Sequence, residues 1–123
     1  MLLRFTASNF LSLGDELEFT MFPYTRLREH KDHIHDDGKV PVLKATAIYG
    51  ANGAGKSNLV KAMHYVQERL GISPLPEDKR RSSYFKLRAV DETKVSTFEF
   101  EFKIDELYLA YGLEILRGEI KEE

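Results

Sequence analysis

Residues 47–63 read AIYGANGAGKSNLVKAM. Three glycines, a lysine and a serine fall within eight positions, and a helical pattern follows at once. Gly50, Gly55, Lys56 and Ser57 satisfy G-x-x-x-x-G-K-[ST]. That spacing answers a physical demand. A triphosphate needs several backbone N–H groups converging on its oxygens, and a chain can curl that tightly only where no Cβ intervenes, as at Gly53 and Gly55. Lys56 is long enough to reach the β- and γ-phosphates as a point charge, and Ser57 offers a hydroxyl to Mg²⁺. A helix beginning here turns its N-terminal N–H groups and its positive dipole end toward the anion. A chance match in so short a chain has odds on the order of one in a few hundred. The candidate nucleotide-binding residues are therefore Gly50, Ala51, Asn52, Gly53, Ala54, Gly55, Lys56, Ser57 and Asn58, with Ser57 as the Mg²⁺ ligand.

The flanks suit such a loop. Leu43 to Tyr49, LKATAIY, is compact and apolar and predicts a buried strand. Leu59, Val60, Met63, Val66 and Leu70 recur at helical spacing and predict a helix from about Lys56 to Leu70. Gly71 is placed to cap it, and Pro74 and Pro76 prevent its continuing. Upstream, Leu3, Phe5 and Ala7 alternate with Arg4 and Thr6, and Leu17, Phe19 and Met21 alternate with glutamates and Thr20. The Gly14-Asp15 turn between them predicts an antiparallel pair. Residues 22–42 read as a polar loop or short irregular helix. Downstream, Phe98, Phe100, Phe102 and Ile104 alternate with Thr97, Glu99, Glu101 and Lys103. Turns at Asp105-Glu106 and Arg117-Gly118 make an antiparallel meander of this region, with Ser83 to Val90 as its expected upstream partner.

Composition narrows the function classes. The 123 residues are 42% hydrophobic and 31% charged, with a net charge of −2, so no global field for nucleic acid is implied. The absence of cysteine excludes disulfides and thiolate metal sites and suits a reducing cytoplasm. No apolar run approaches the roughly 20 residues of a membrane span. Polar residues at Arg4, Thr6, Ser8 and Asn9 argue against a secretory signal.

The fuller string GANGAGKSN, with Asn52 and Asn58, resembles the ABC-type ATPases of the SMC/RecF branch and the related OLD-like and bacterial AAA-family ATP-binding proteins. The opening LLRFTASNFLSLGDELEFTM is similar to the start of that branch, and YGLEILRGEIKEE to its strand pair after the first helix. The resemblance implies an α/β P-loop NTPase fold: the N-terminal lobe of an ABC-type head, with a mixed, largely antiparallel sheet and one main helix after the loop. It implies ATP and Mg²⁺ as cofactors, and a homodimer with nucleotide sandwiched between heads. Work on DNA or RNA, or control of an effector or nuclease partner, would follow from that dimerisation. It also places Asn9 and Phe10 in a corner near the nucleotide, and sets Tyr24 where transporter-type heads carry an adenine-stacking aromatic.

The chain departs from that family in one respect. No apolar run ends in Asp-Glu, so no Walker B strand is present. LYLAYGLE, Leu107 to Glu114, is interrupted by Gly112 and reads as a sheet strand. LSLGDE, Leu11 to Glu16, resembles a signature loop, but a strand pattern follows where a helix should open. Residues 1–123 are thus expected to be the Walker A half of a single ATPase domain, inactive in hydrolysis alone. The alternatives are a P-loop kinase or GTPase, or a non-catalytic interaction module with a vestigial loop.

Two further clusters carry chemistry. HKDHIHDD sets His30, His33 and His35 among Asp32, Asp36 and Asp37. It can be read as a metal site or as a solvated polar loop, and its spacing, with no evident frame, favours the loop. Lys79, Arg80, Arg81, Lys86 and Arg88 form a run without acids that could contact DNA or RNA, or could simply be solvated. His64 reads as an ordinary surface residue of the helix.

Overall fold

The computed structural model describes residues 1–24, 26, 29–71, 83–89 and 93–123. Its main layer is a five-stranded sheet, with strands β1 (Leu2–Ser8), β2 (Leu17–Thr20), β5 (Ser96–Ile104), β6 (Leu107–Leu116) and β7 (Glu119–Glu122). Their spatial order is β2-β1-β5-β6-β7, and every neighbouring pair is antiparallel. The expected hairpin and meander are both present, but the mixed sheet is not: no parallel pair occurs among the described strands. Strands β3 (Ile34–His35) and β4 (Val42–Leu43) form a separate small antiparallel pair. The helix α1 spans Lys56–Arg69, close to its expected bounds.

Period-two patterning places the core. Phe5 sits opposite Phe19 on one side and Phe100 on the other, and Ala7 is flanked by Leu17 and Phe98. These residues line one sheet face, and α1 lies across it. Leu59, Ala62, Tyr65 and Val66 pack there with Phe5, Ala7, Phe10, Leu13, Phe98, Leu113 and Ile115. Phe10, Tyr65 and Phe98 form an aromatic triangle, with ring centroids 5.0, 5.3 and 5.7 Å apart. The buried stripe of α1 is rotated from the expected one. Ala62 and Tyr65 face the sheet, whereas Val60 is 60% exposed. Arg69 fastens the end of the helix to the β6–β7 turn. It donates to the Gly118 carbonyl and the Tyr65 hydroxyl at 2.9 Å each.

The opposite face is polar and paired across strands. Arg4 bridges Glu18 and Glu101, and the Ser8 and Thr97 hydroxyls meet at 2.7 Å. Lys103, only 9% exposed, pairs with Asp37, and its ammonium lies 5.5 Å from the Tyr108 ring centroid. The hydrogen bond from Lys103, then those from the Lys39 and Val40 N–H groups, hold the Asp37 carboxyl well below the usual range.

Three local expectations are corrected. Of the expected upstream strand 83–90, the described residues 83–89 are not a strand, and β1 occupies that edge of β5; Val90 lies outside the described residues. The described residues 83–89 turn instead around the corner at Asn9. Phe85 N–H donates to the Asn9 side chain at 3.0 Å, and Leu11 N–H to the Ser83 carbonyl at 2.7 Å. Phe85 lies so close to Gly14 that a Cβ there would come within 2.9 Å of the ring. Residues 43–49 are not a buried strand either. Only Val42–Leu43 pairs, and residues 45–49 are exposed, with no strand beside them among the described residues. Backbone groups in that stretch have no ladder to join, so the apolar composition alone does not make a strand. Finally, of the polar loop or short irregular helix expected over residues 22–42, a short helix is present, and a strand pair that was not expected follows it. A 3₁₀ turn, Lys31–His33, precedes the β3–β4 pair, and Val42 is fully buried.

Candidate phosphate-binding site

Between Tyr49 and α1 the chain folds into a compact concave loop. Gly53 and Gly55 have φ of +82° and +86°, conformations that side chains resist. Gly55 is the residue from which α1 starts, and its carbonyl accepts from Asn58 and Leu59 N–H at 2.9 and 3.1 Å. Ala54 N–H bonds to the Ala51 carbonyl at 3.3 Å. The N–H groups of Gly53, Gly55, Lys56 and Ser57 take no backbone acceptor among the described residues. Free donors at a helix start, with no acid in the first turn, are the groups to which an anion would bind.

Lys56 completes the set. Its Nζ donates to both the Gly50 and Ala51 carbonyls at 2.7 Å, so the ammonium is folded back onto the loop at its exposed surface. The space bounded by Ser12 and residues 52–58 is about 340 Å³. Of the nine residues expected to bind nucleotide, 52–58 line this space, while Gly50 and Ala51 hold the Lys56 ammonium through their carbonyls.

Ser12 was not evident from the sequence. Phe10 and Leu13 exchange backbone hydrogen bonds at 2.8 Å, making a tight turn that carries Ser12 to the loop. Its hydroxyl accepts from the Asn58 amide at 2.7 Å, and a Cβ on Gly55 would lie 3.4 Å from it. Nothing in the local pattern of residues 10–13 signals this, because the contact spans 46 positions. The same turn confirms that Leu11 to Glu16 opens no helix.

Asn9 is structural. Its amide donates to the Lys94 and Val95 carbonyls at 3.1 and 3.3 Å, its Oδ1 accepts from Phe85 N–H, and its carbonyl accepts from Ser96 Oγ at 2.6 Å. Tyr24 is exposed, with no ring or hydrogen-bond contact to the loop among the described residues. Of the basic run, Lys79, Arg80 and Arg81 lie outside the described residues. Lys86 is exposed. Arg88 grips Asp15 with two bonds, 2.8 and 2.9 Å, and holds that carboxyl below its ordinary value. His64 is exposed and paired with Glu68 one turn along.

Compared with known families, residues 45–123 match the family described as "AAA domain, putative AbiEii toxin, Type IV TA system". No curated protein and no solved structure matches the chain.

Proposed function

The chain belongs to that AAA-domain family of P-loop ATPases, and from this premise we propose that it binds Mg-ATP at residues 50–58 as the phosphate-binding half of an ABC-type head. One observation carries the reading. The N–H groups of Gly53, Gly55, Lys56 and Ser57 take no backbone acceptor among the described residues, and the Lys56 ammonium is held at the same loop by the Gly50 and Ala51 carbonyls. In that site the N–H groups of Gly53, Gly55, Lys56 and Ser57 hold phosphate oxygens, Lys56 neutralises the β- and γ-phosphates, and Ser57 ligates the cation. The bound Mg²⁺ would supply charge neutralisation between the β- and γ-oxygens.

Hydrolysis needs a water-activating carboxylate beside the γ-phosphate, and no acid lines the concavity. On this reading those groups come from outside the described residues. Dimerisation through sandwiched nucleotide and work on nucleic acid or on an effector are the wider proposal, and they follow the SMC/RecF-like resemblance of GANGAGKSN.

Calorimetric titration of ATP with Mg²⁺ tests the site. Binding is expected for the protein as it stands, and Lys56→Ala should weaken it at least tenfold with the fold intact by circular dichroism. Absence of saturable binding at millimolar ATP would refute the proposal and favour a vestigial loop.

A further inference from the structure

The turn before the β3–β4 pair gathers metal-binding groups that the phosphate site does not use. His30, Asp32 and His33 each turn one ligand atom inward, and the three atoms lie within 4.8 Å of one another. We propose that these three side chains bind a divalent transition ion of the Zn²⁺ class.

The backbone supports this. His30 adopts the left-handed conformation, φ 55° and ψ 41°, which bends the chain so that its ring comes to 5.5 Å from that of His33, centroid to centroid. The turn is also tied down. His33 N–H bonds to the His30 carbonyl at 3.0 Å, and the His33 carbonyl accepts from Lys44 N–H at 2.9 Å. Lys44 Nζ reaches the Asp32 carbonyl at 2.7 Å. β3 begins immediately after and pairs with β4. The frame that HKDHIHDD lacks as a sequence is thus supplied by Lys44, eleven residues after His33.

The spacing of one ligand pair suits an ion as it stands. Two ligand atoms about 2.0–2.1 Å from a tetrahedral Zn²⁺ lie roughly 3.3 Å apart. The His33 Nε2 to Asp32 Oδ2 separation is 3.3 Å. Two imidazoles and one carboxylate select Zn²⁺, Co²⁺, Ni²⁺ or Cu²⁺ over Mg²⁺ or Ca²⁺, which prefer all-oxygen shells. All three residues are exposed, so an ion can reach them, and water can fill its remaining positions. Without an ion, Asp32 and His33 form a surface pair of small energetic value. An ion here would brace the hairpin that feeds, through Lys44 and residues 45–49, into the phosphate loop.

Titrating Co²⁺ into the protein and following its visible absorption tests this, with Zn²⁺ measured by competition against a chelating dye. One ion per chain is expected, and Zn²⁺ should raise the melting temperature. His30→Ala, Asp32→Asn and His33→Ala should each weaken binding at least tenfold and remove the thermal shift, while leaving the metal-free melting temperature unchanged. His35→Ala, His64→Ala and Lys56→Ala should bind as the parent does. Failure to saturate at millimolar Co²⁺ and Zn²⁺ would overturn the proposal. So would binding that survives the His30→Ala/His33→Ala double variant.

Discussion

β5 and residues 45–49 both carry apolar residues that suit a strand, yet they end in opposite states. β5 is paired along both edges, by β1 and β6, and its Phe98 is completely buried. Residues 45–49 have no strand beside them among the described residues, and Tyr49 is 91% exposed. Their nearest side-chain tie is a hydrogen bond from Thr46 Oγ1 to the Met21 sulfur at 3.3 Å. The difference lies in neighbours rather than in intrinsic preference: a strand is stabilised by the ladders and packed faces around it. Stability should therefore concentrate at β5 and its supports, while the approach to the phosphate loop contributes little.

The largest test of that contrast is Phe98→Ala. It removes a ring packed against Phe10 and Tyr65, and should cost about 3–5 kcal/mol in urea unfolding. A loss below about 1 kcal/mol would break the comparison. Next comes Asn9→Ala, which strips the side-chain bonds joining the corner to Phe85, Lys94 and Val95, just ahead of β5. A loss of about 1–3 kcal/mol is expected in the same assay.

A smaller effect sharpens the contrast through pH. Asp37, paired with Lys103 of β5, has its folded-state value lowered. Its contribution is complete above the ordinary carboxylate value near 3.9, and is lost as pH falls below that toward the depressed folded value. Asp37→Asn should therefore be less stable than the parent at neutral pH, with the gap closing in strong acid. Equal stability at neutral pH would remove Asp37 from the supports of β5. Smallest of all, Tyr49→Ser should change stability by no more than about 0.5 kcal/mol. A larger loss would mean that residues 45–49 are packed after all.

The same contrast explains what could be read in advance. The β5–β6–β7 meander and the β1–β2 hairpin follow from alternation and turn residues a few positions apart, and α1 from its spacing and Gly71. The compact glycine turn ahead of α1 is legible because its glycines and the helix start sit within nine consecutive residues, 50–58. What escaped was non-local. β1 takes the β5 edge that residues 83–90 were expected to fill, Ser12 reaches the loop through a distant turn, and Lys44 frames His30, Asp32 and His33. Residues 43–49 were misread for the same reason, since apolar character was visible and the lack of a neighbouring strand was not. On α1, apolar spacing found Leu59 and Val66, but the tilt that buries Ala62 and Tyr65 is set by the sheet beneath.

The joining of β1 to β5 also shapes how the molecule comes into being. Ser8 and Thr97 meet across 89 positions, and the phosphate loop and α1 lie within that span. A closure so long must be completed before its contacts reward it, which makes for slow folding. During synthesis the first hairpin therefore leaves the ribosome with a bare edge, and α1 has no full bed until Ile115 has emerged. A nascent chain paused before β5 would present the unmatched edge of β1 to other proteins.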